Sequence, residues 1–141
     1  MVGDRPTRPE VLGALTEFEL SRPAVPETVT AFRHRAATFA AEQGAHPDLT
    51  ADIALAVSEA TANAVKYAYR SAGTGTIELS ASAEDGRLTL LISDCGEGFR
   101  EGSSEGLGLG LTIIADVCHD LEIVQGEPGT QVLMRFLLPR E

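Results

Sequence analysis

The sequence is short of cysteine, of positive charge and of long apolar runs, and each shortage excludes something. Its 141 residues hold two cysteines, Cys95 and Cys118. These give neither a disulfide framework nor a paired metal-ligand spacing, and read as two reduced structural thiols. Only 11 Lys+Arg stand against 21 Asp+Glu, a formal net charge of −10, and those bases are scattered. Binding a phosphate backbone needs a basic face, so no direct nucleic-acid binding is expected. No apolar run approaches the ~20 residues of a membrane span. The opening MVGDRPTRPE carries Asp4 and no apolar h-region, so it does not read as a signal peptide, and a cytoplasmic protein is expected. Internal repeats and low-complexity tracts are absent as well.

What is present is the composition of a globular domain: 43% hydrophobic residues and a mean hydropathy of +0.02. The length is enough to bury a core of its own. Residues 1–16 are mixed and proline-containing and read as a flexible N-terminal arm, with a single domain over 17–141. An acidic chain that takes an anionic ligand must do so with backbone N–H groups, a metal or a few local bases. Its net charge suits a protein partner with basic patches.

Periodicity supplies the elements in order. Phe18-Glu19-Leu20-Ser21 alternates as a strand. Pro26 suits a first helical turn, and Glu27–Gln43 places Val29, Phe32, Ala36, Phe39 and Ala40 on one helix face, with Gly44 as its stop. A long helix follows from about 49 to 70, with Asp48 or Thr50 as cap and a stripe of Ile53, Val57, Ala60, Ala64 and Ala68. Thr76–Ala81 and Leu88–Ser93 read as strands around the hairpin signal Glu84-Asp85-Gly86. A last helix spans about 108–119, with Leu111, Ile114, Ala115 and Cys118 on one side. A second hairpin, Leu121–Gln125 and Gln131–Leu138, turns at Glu127-Pro128-Gly129. Five strands and three helices predict an α+β two-layer sandwich, a mixed, mainly antiparallel sheet with helices on one face. The other face is left for solvent or a partner.

Three motifs carry chemistry. Glu59 and Asn63 lie one turn apart on the flank of the long helix, beside Asp52 and Tyr67. A carboxylate there can act as general base, and a carboxamide oxygen can serve a hard cation such as Mg²⁺; a solvated helix flank has the same composition. Asp94-x-Gly96-x-Gly98 ends a strand. Its Asp can accept a hydrogen bond from an exocyclic amine while a flat ring passes over the glycines, though a plain glycine turn looks similar. Gly106-x-Gly108-x-Gly110 opens the last helix, where free N–H groups and the helix dipole favour phosphate. It is neither a P-loop nor a dinucleotide fingerprint, since no GK[ST] follows and no βαβ unit surrounds it. The residues alone thus reach a Mg-nucleotide pocket built from strand, glycine turn, loop and helix start.

The order of Asn-bearing helix, DxGxG and GxGxG resembles the ATP-binding domain shared by gyrase, heat-shock chaperones, histidine kinases and MutL proteins, the Bergerat-type fold. Within that superfamily Ala56-Val57-Ser58-Glu59-Ala60-Thr61-Ala62-Asn63-Ala64-Val65-Lys66, Ile92-Ser93-Asp94-Cys95-Gly96-Glu97-Gly98-Phe99 and Gly106–Leu111 are similar to the bacterial anti-sigma-factor serine/threonine kinases of partner-switching systems. The closing Gly129-Thr130, apolar strand and Pro139 match too. The resemblance spans about residues 18–139. It implies that Glu59 is the general base for a substrate hydroxyl and that Asn63 is the Mg²⁺ ligand bridging to phosphate. It implies that Asp94 accepts from the adenine amine, beside Gly96 and Gly98. Gly106, Gly108 and Gly110 would line the phosphates, and Thr130 would reach the adenine through a water. A histidine common one turn after the Asn is replaced here by Tyr67, and the lid Arg100–Glu105 is very short, so nucleotide should exchange readily unless a partner covers the site. Lys66 and Arg100 are further phosphate contacts to consider against plain surface charge.

The resemblance thus implies an ATP- and Mg-dependent kinase and anti-sigma factor. It would sequester a sigma factor, phosphorylate a STAS-type antagonist and act as a homodimer. The alternative is a regulatory module, with structural ATP or none, that acts by protein contact alone. A detached histidine-kinase catalytic domain fits less well, since no phosphoacceptor helix hairpin is present.

Overall fold

The computed structural model describes residues 16–67, 75–94, 108–125 and 129–139. The elements run β1 (Phe18–Pro23), α1 (Pro26–Glu42), α2 (Pro47–Tyr67), β2 (Thr76–Glu84), β3 (Arg87–Asp94), α3 (Gly108–Val117), β4 (Asp120–Gln125) and β5 (Thr130–Leu137). The strands form one sheet in the order β1-β2-β3-β5-β4. The fold is α+β, and the sheet is antiparallel at every neighbouring pair, not mixed.

Strand alternation sends Ile77, Leu79 and Ala81 of β2, Leu88, Leu90 and Ile92 of β3, and Val132, Met134 and Phe136 of β5 into one core. The helices supply Phe32, Ala36 and Phe39 from α1, Ile53, Val57, Ala60 and Ala64 from α2, and Ile114 from α3. Each large apolar side chain buried this way contributes roughly 1.5–3 kcal/mol. Ala68 of the expected stripe lies outside the described residues. The β1–α1 corner is pinned by Thr28 Oγ1 donating to the Pro23 carbonyl (2.5 Å) and by an edge-on contact of Phe18 with Phe39 at 5.6 Å.

Three details differ from the sequence reading. First, α2 starts at Pro47, so Asp48 and Thr50 lie inside it; the Asp48 N–H donates instead to His46 Nδ1 (3.1 Å). Proline at the first helical position hands the cap to the residue before it. Second, Ala115 is exposed, while Leu111, Val117 and Cys118 pack on the core around Ile114. At ~100° per residue, Ala115 stands about 90° from the centre of that stripe.

Third, the sheet face away from the helices is not simply open. Leu91 and Leu133 form a small separate cluster there, and Ser80, Ser82, Thr89, Ser93 and Gln131 on the same face are also buried. Exposed apolar side chains on it, Val124 and Leu137, stand toward its margin.

The turns match their residues. Gly44 ends α1 at φ +87°, and Asp85 (φ +54°) and Gly86 (φ +77°) make the β2–β3 turn. Two successive positive φ values fit the right-handed twist of a two-residue hairpin.

Candidate functional site

Four segments converge at one end of the sheet. β3 ends there at Asp94, paired with Ile77 near the start of β2. The β5 strand begins there: Ser93 pairs with Gln131, so Asp94 and Thr130 stand one step beyond that pair. Both share the parity of the core-facing residues of their strands, which puts them on the helix-covered face. Helix α2 runs toward this end, since its chain returns as β2 at Thr76. Helix α3 starts here and runs away, because its far end is held at the opposite margin, where the His119 N–H donates to the Arg135 carbonyl (2.8 Å). The N-terminal N–H groups of α3, at Gly108 and Gly110, therefore face the same end as Asp94 and Thr130.

The polar atoms of this end are buried to an unusual degree. Asp94 is 6% exposed and Thr130 3%. Thr130 Oγ1 and Asn63 Nδ2 are buried with no hydrogen-bond partner. A buried polar group left unpaired costs roughly 1–3 kcal/mol, which a ligand group placed against it recovers. Thr16 Oγ1 and Ser80 Oγ share this state. They lie on the β1–β2 side of the sheet or on its other face, and do not join the site.

Glu59 sits one turn before Asn63 on α2, half-buried. Between them the helix is fixed by packing: Ala60 is in the core, and the buried Thr61 hydroxyl donates to the Val57 carbonyl (2.7 Å). The structure thus brings Glu59, Asn63, Asp94, Gly108, Gly110 and Thr130 to one end of the fold. Gly96, Gly98, Gly106, Arg100 and the rest of the loop lie outside the described residues. The Tyr67 side chain does too, and Lys66 is exposed at the end of α2.

One residue was visible in the sequence only as the end of the Glu127-Pro128-Gly129 turn and as half of the closing Gly129-Thr130 match. Gly129 is buried against Asp94: a Cβ there would stand 2.0 Å from the Asp94 carbonyl oxygen and 2.8 Å from its Oδ1. Only a residue without a side chain allows β5 to begin so close to the end of β3.

A divalent cation fits this donor set in a limited way. Among the described residues no cluster of three or more His, Cys, Asp or Glu could hold a metal. Asn63 Nδ2 is buried without a partner, and the amide oxygen and nitrogen exchange places by a half-turn of the side chain. The chain therefore offers one carboxamide oxygen, which suits an ion that takes its other ligands from phosphate and water.

With this geometry in view, comparison with known proteins gives the lineage. Residues 22–136 match the histidine kinase-like ATPase domain. The chain belongs to that family. The serine-protein kinase RsbW of Bacillus licheniformis is 31% identical over 141 residues, covering 88% of this chain and 87% of its relative. This ATPase domain therefore falls with the RsbW serine-protein kinases. Among solved structures, the RsbU and RsbW domains of a Mycobacterium tuberculosis protein share its fold with a TM-score of 0.68 at 24% identity, over 87% of this chain and 32% of that one. The SiaB–SiaC complex of Pseudomonas aeruginosa gives a TM-score of 0.62 at 16% identity, over 87% of this chain and 89% of that chain.

Proposed function

We propose that this protein is an ATP-dependent serine/threonine kinase that acts as an anti-sigma factor: it sequesters a sigma factor and phosphorylates a STAS-type antagonist. The observation that carries the nucleotide part is the pair of buried, unpartnered polar atoms on Asn63 and Thr130 at the sheet end that also holds Asp94. Membership of the RsbW branch carries the kinase part.

In this reading Asp94 accepts from the adenine amine, and Thr130 holds the water beside it. Gly96 and Gly98 pass along the base. Gly106, Gly108 and Gly110 bring the N–H groups of the α3 start to the phosphates. Asn63 would hold Mg²⁺, which when bound supplies positive charge to the phosphate oxygens. Glu59 takes the proton of the incoming serine hydroxyl. The added phosphate charge then prevents the antagonist from binding at a packed interface. The acidic surface suits partners with basic patches. A single domain over 17–141, a homodimer and a cytoplasmic location complete the proposal.

The test is transfer of labelled γ-phosphate to candidate STAS antagonists by wild type and Glu59→Gln. Transfer should fall by about 10²–10⁴-fold in the variant, the range for loss of a general base, with MgATP affinity retained. Equal transfer by both removes Glu59 from the reaction. Tight sigma binding without transfer by wild type would make the protein a contact-only regulator.

A further inference from the structure

We propose that Gly129 is a positioning residue that sets the base selectivity of the pocket by fixing Asp94. This rests on the adenine reading of Asp94 given above. The Asp94 backbone is held on one side by its pairing with Ile77 of β2. On the other side stands Gly129, where a Cβ would lie 2.0 Å from the Asp94 carbonyl oxygen, 2.7 Å from its carbonyl carbon and 2.8 Å from Oδ1. Contacts under 3 Å with backbone atoms cannot be relieved by turning a side chain, so any residue larger than glycine must drive β5 and the end of β3 apart. The contact reaches the carboxylate as well as the backbone. Gly129 therefore limits both where Asp94 stands and which way its carboxylate turns.

A fixed acceptor is what distinguishes an amino-purine from a keto-purine. A carboxylate held in line with the ligand accepts from an exocyclic amine and opposes a carbonyl oxygen at the same place, because two acceptors face each other without a proton between them. A carboxylate free to swing away loses the first interaction and escapes the second. Displacing Asp94 thus lowers affinity for adenine nucleotide and narrows the gap to its keto analogue. Destabilisation of the fold alone would weaken both ligands equally.

The experiment is calorimetric titration of ATP and of inosine triphosphate, each with Mg²⁺, into wild type, Gly129→Ala and Pro128→Gly, with thermal melts to establish folding. Wild type should prefer ATP by about tenfold or more, the value of one well-made hydrogen bond to a charged acceptor. In Gly129→Ala the ratio should fall toward one. Pro128→Gly adds no Cβ at 129; it removes the φ restriction that proline imposes at the preceding position, and should lower the ratio by less than Gly129→Ala does. It decides the matter if Gly129→Ala does not fold. A wild-type ratio preserved in every folded variant overturns the role of Gly129. If wild type itself shows no preference for ATP, the adenine reading of Asp94 fails instead, and the role given to Gly129 fails with it.

Discussion

The two ends of the sheet make opposite use of polar residues. At the hairpin end, beyond Arg87 and Leu137, the charges are outside and paired with one another. Arg135 bonds Asp120 at 2.8 Å and approaches Glu122 at 3.6 Å, and the Leu138 N–H donates to the Gly86 carbonyl at 2.7 Å. A concavity lined by Arg87, His119, Asp120, Arg135 and Leu137 lies there. At the other end the polar groups are inside, and Asn63 Nδ2 and Thr130 Oγ1 have nothing to bond. Concavity and charge are therefore poor guides to a site. What marks this end is that two such desolvated, unpartnered groups, Asn63 Nδ2 and Thr130 Oγ1, lie at the same end as the buried Asp94.

Substitutions at each end can break this contrast. The largest effect is expected from Asp94→Ala, which should weaken MgATP binding by about 10–100-fold, the range for a hydrogen bond to a charged group. Calorimetry measures it, and unchanged affinity would remove Asp94 from the pocket. Next comes Thr130→Val, which replaces an unpartnered buried hydroxyl with a methyl of similar shape. The melting temperature should hold or rise while ATP affinity drops about fivefold, since the cost of the hydroxyl is borne by the free protein alone. A parallel loss of both would make Thr130 a structural residue.

At the hairpin end, Arg135→Ala should cost less than about 1 kcal/mol in denaturant unfolding, as partly exposed ion pairs do, with no change in ATP affinity. The smallest signal comes from Cys118. Burial, assisted by the nearby Asp120 carboxylate, raises its thiol pKa above the ordinary value against the opposing pull of backbone hydrogen bonds. In a Cys95→Ser background its alkylation rate should therefore reach half-maximum at a higher pH when folded than in urea. The fold favours the neutral thiol, so any stability it lends is present below the unfolded pKa and is lost as pH rises through the folded one. An unshifted midpoint would place the thiol in water.

Much of this arrangement was legible beforehand, because it repeats at short range. The stripe Ile53, Val57, Ala60, Ala64 fixed which side of α2 meets the sheet, and Glu84-Asp85-Gly86 announced its turn. Spacing alone put Glu59 and Asn63 on one flank. What escaped depends on neighbours distant in sequence. Ala115 is apolar like a core residue, but the buried stripe of α3 is centred on Ile114 with Val117 on its far side, and this leaves Ala115 outside. The burial of Leu91 and Leu133 on the second face, and the approach of Gly129 to Asp94, arise from contacts across strands. The burial that gives Asn63 and Thr130 their meaning is likewise a property of packing.

The position of β5 between β3 and β4 also dictates an order of events. The β2–β3 hairpin closes through a two-residue turn, and β4 and β5 close through another short connection; both are local and quick to form. The seam that joins them pairs Arg87 with Leu137 and Ser93 with Gln131, partners about 40–50 residues apart, whose closure entropy must be met before any contact offsets it. Asp94, Gly129 and Thr130 all lie at the end of that seam. That end of the sheet is thus completed only after both local hairpins exist, and ligand added during refolding should leave the hairpin phases unchanged while stabilising the product of the step that joins them.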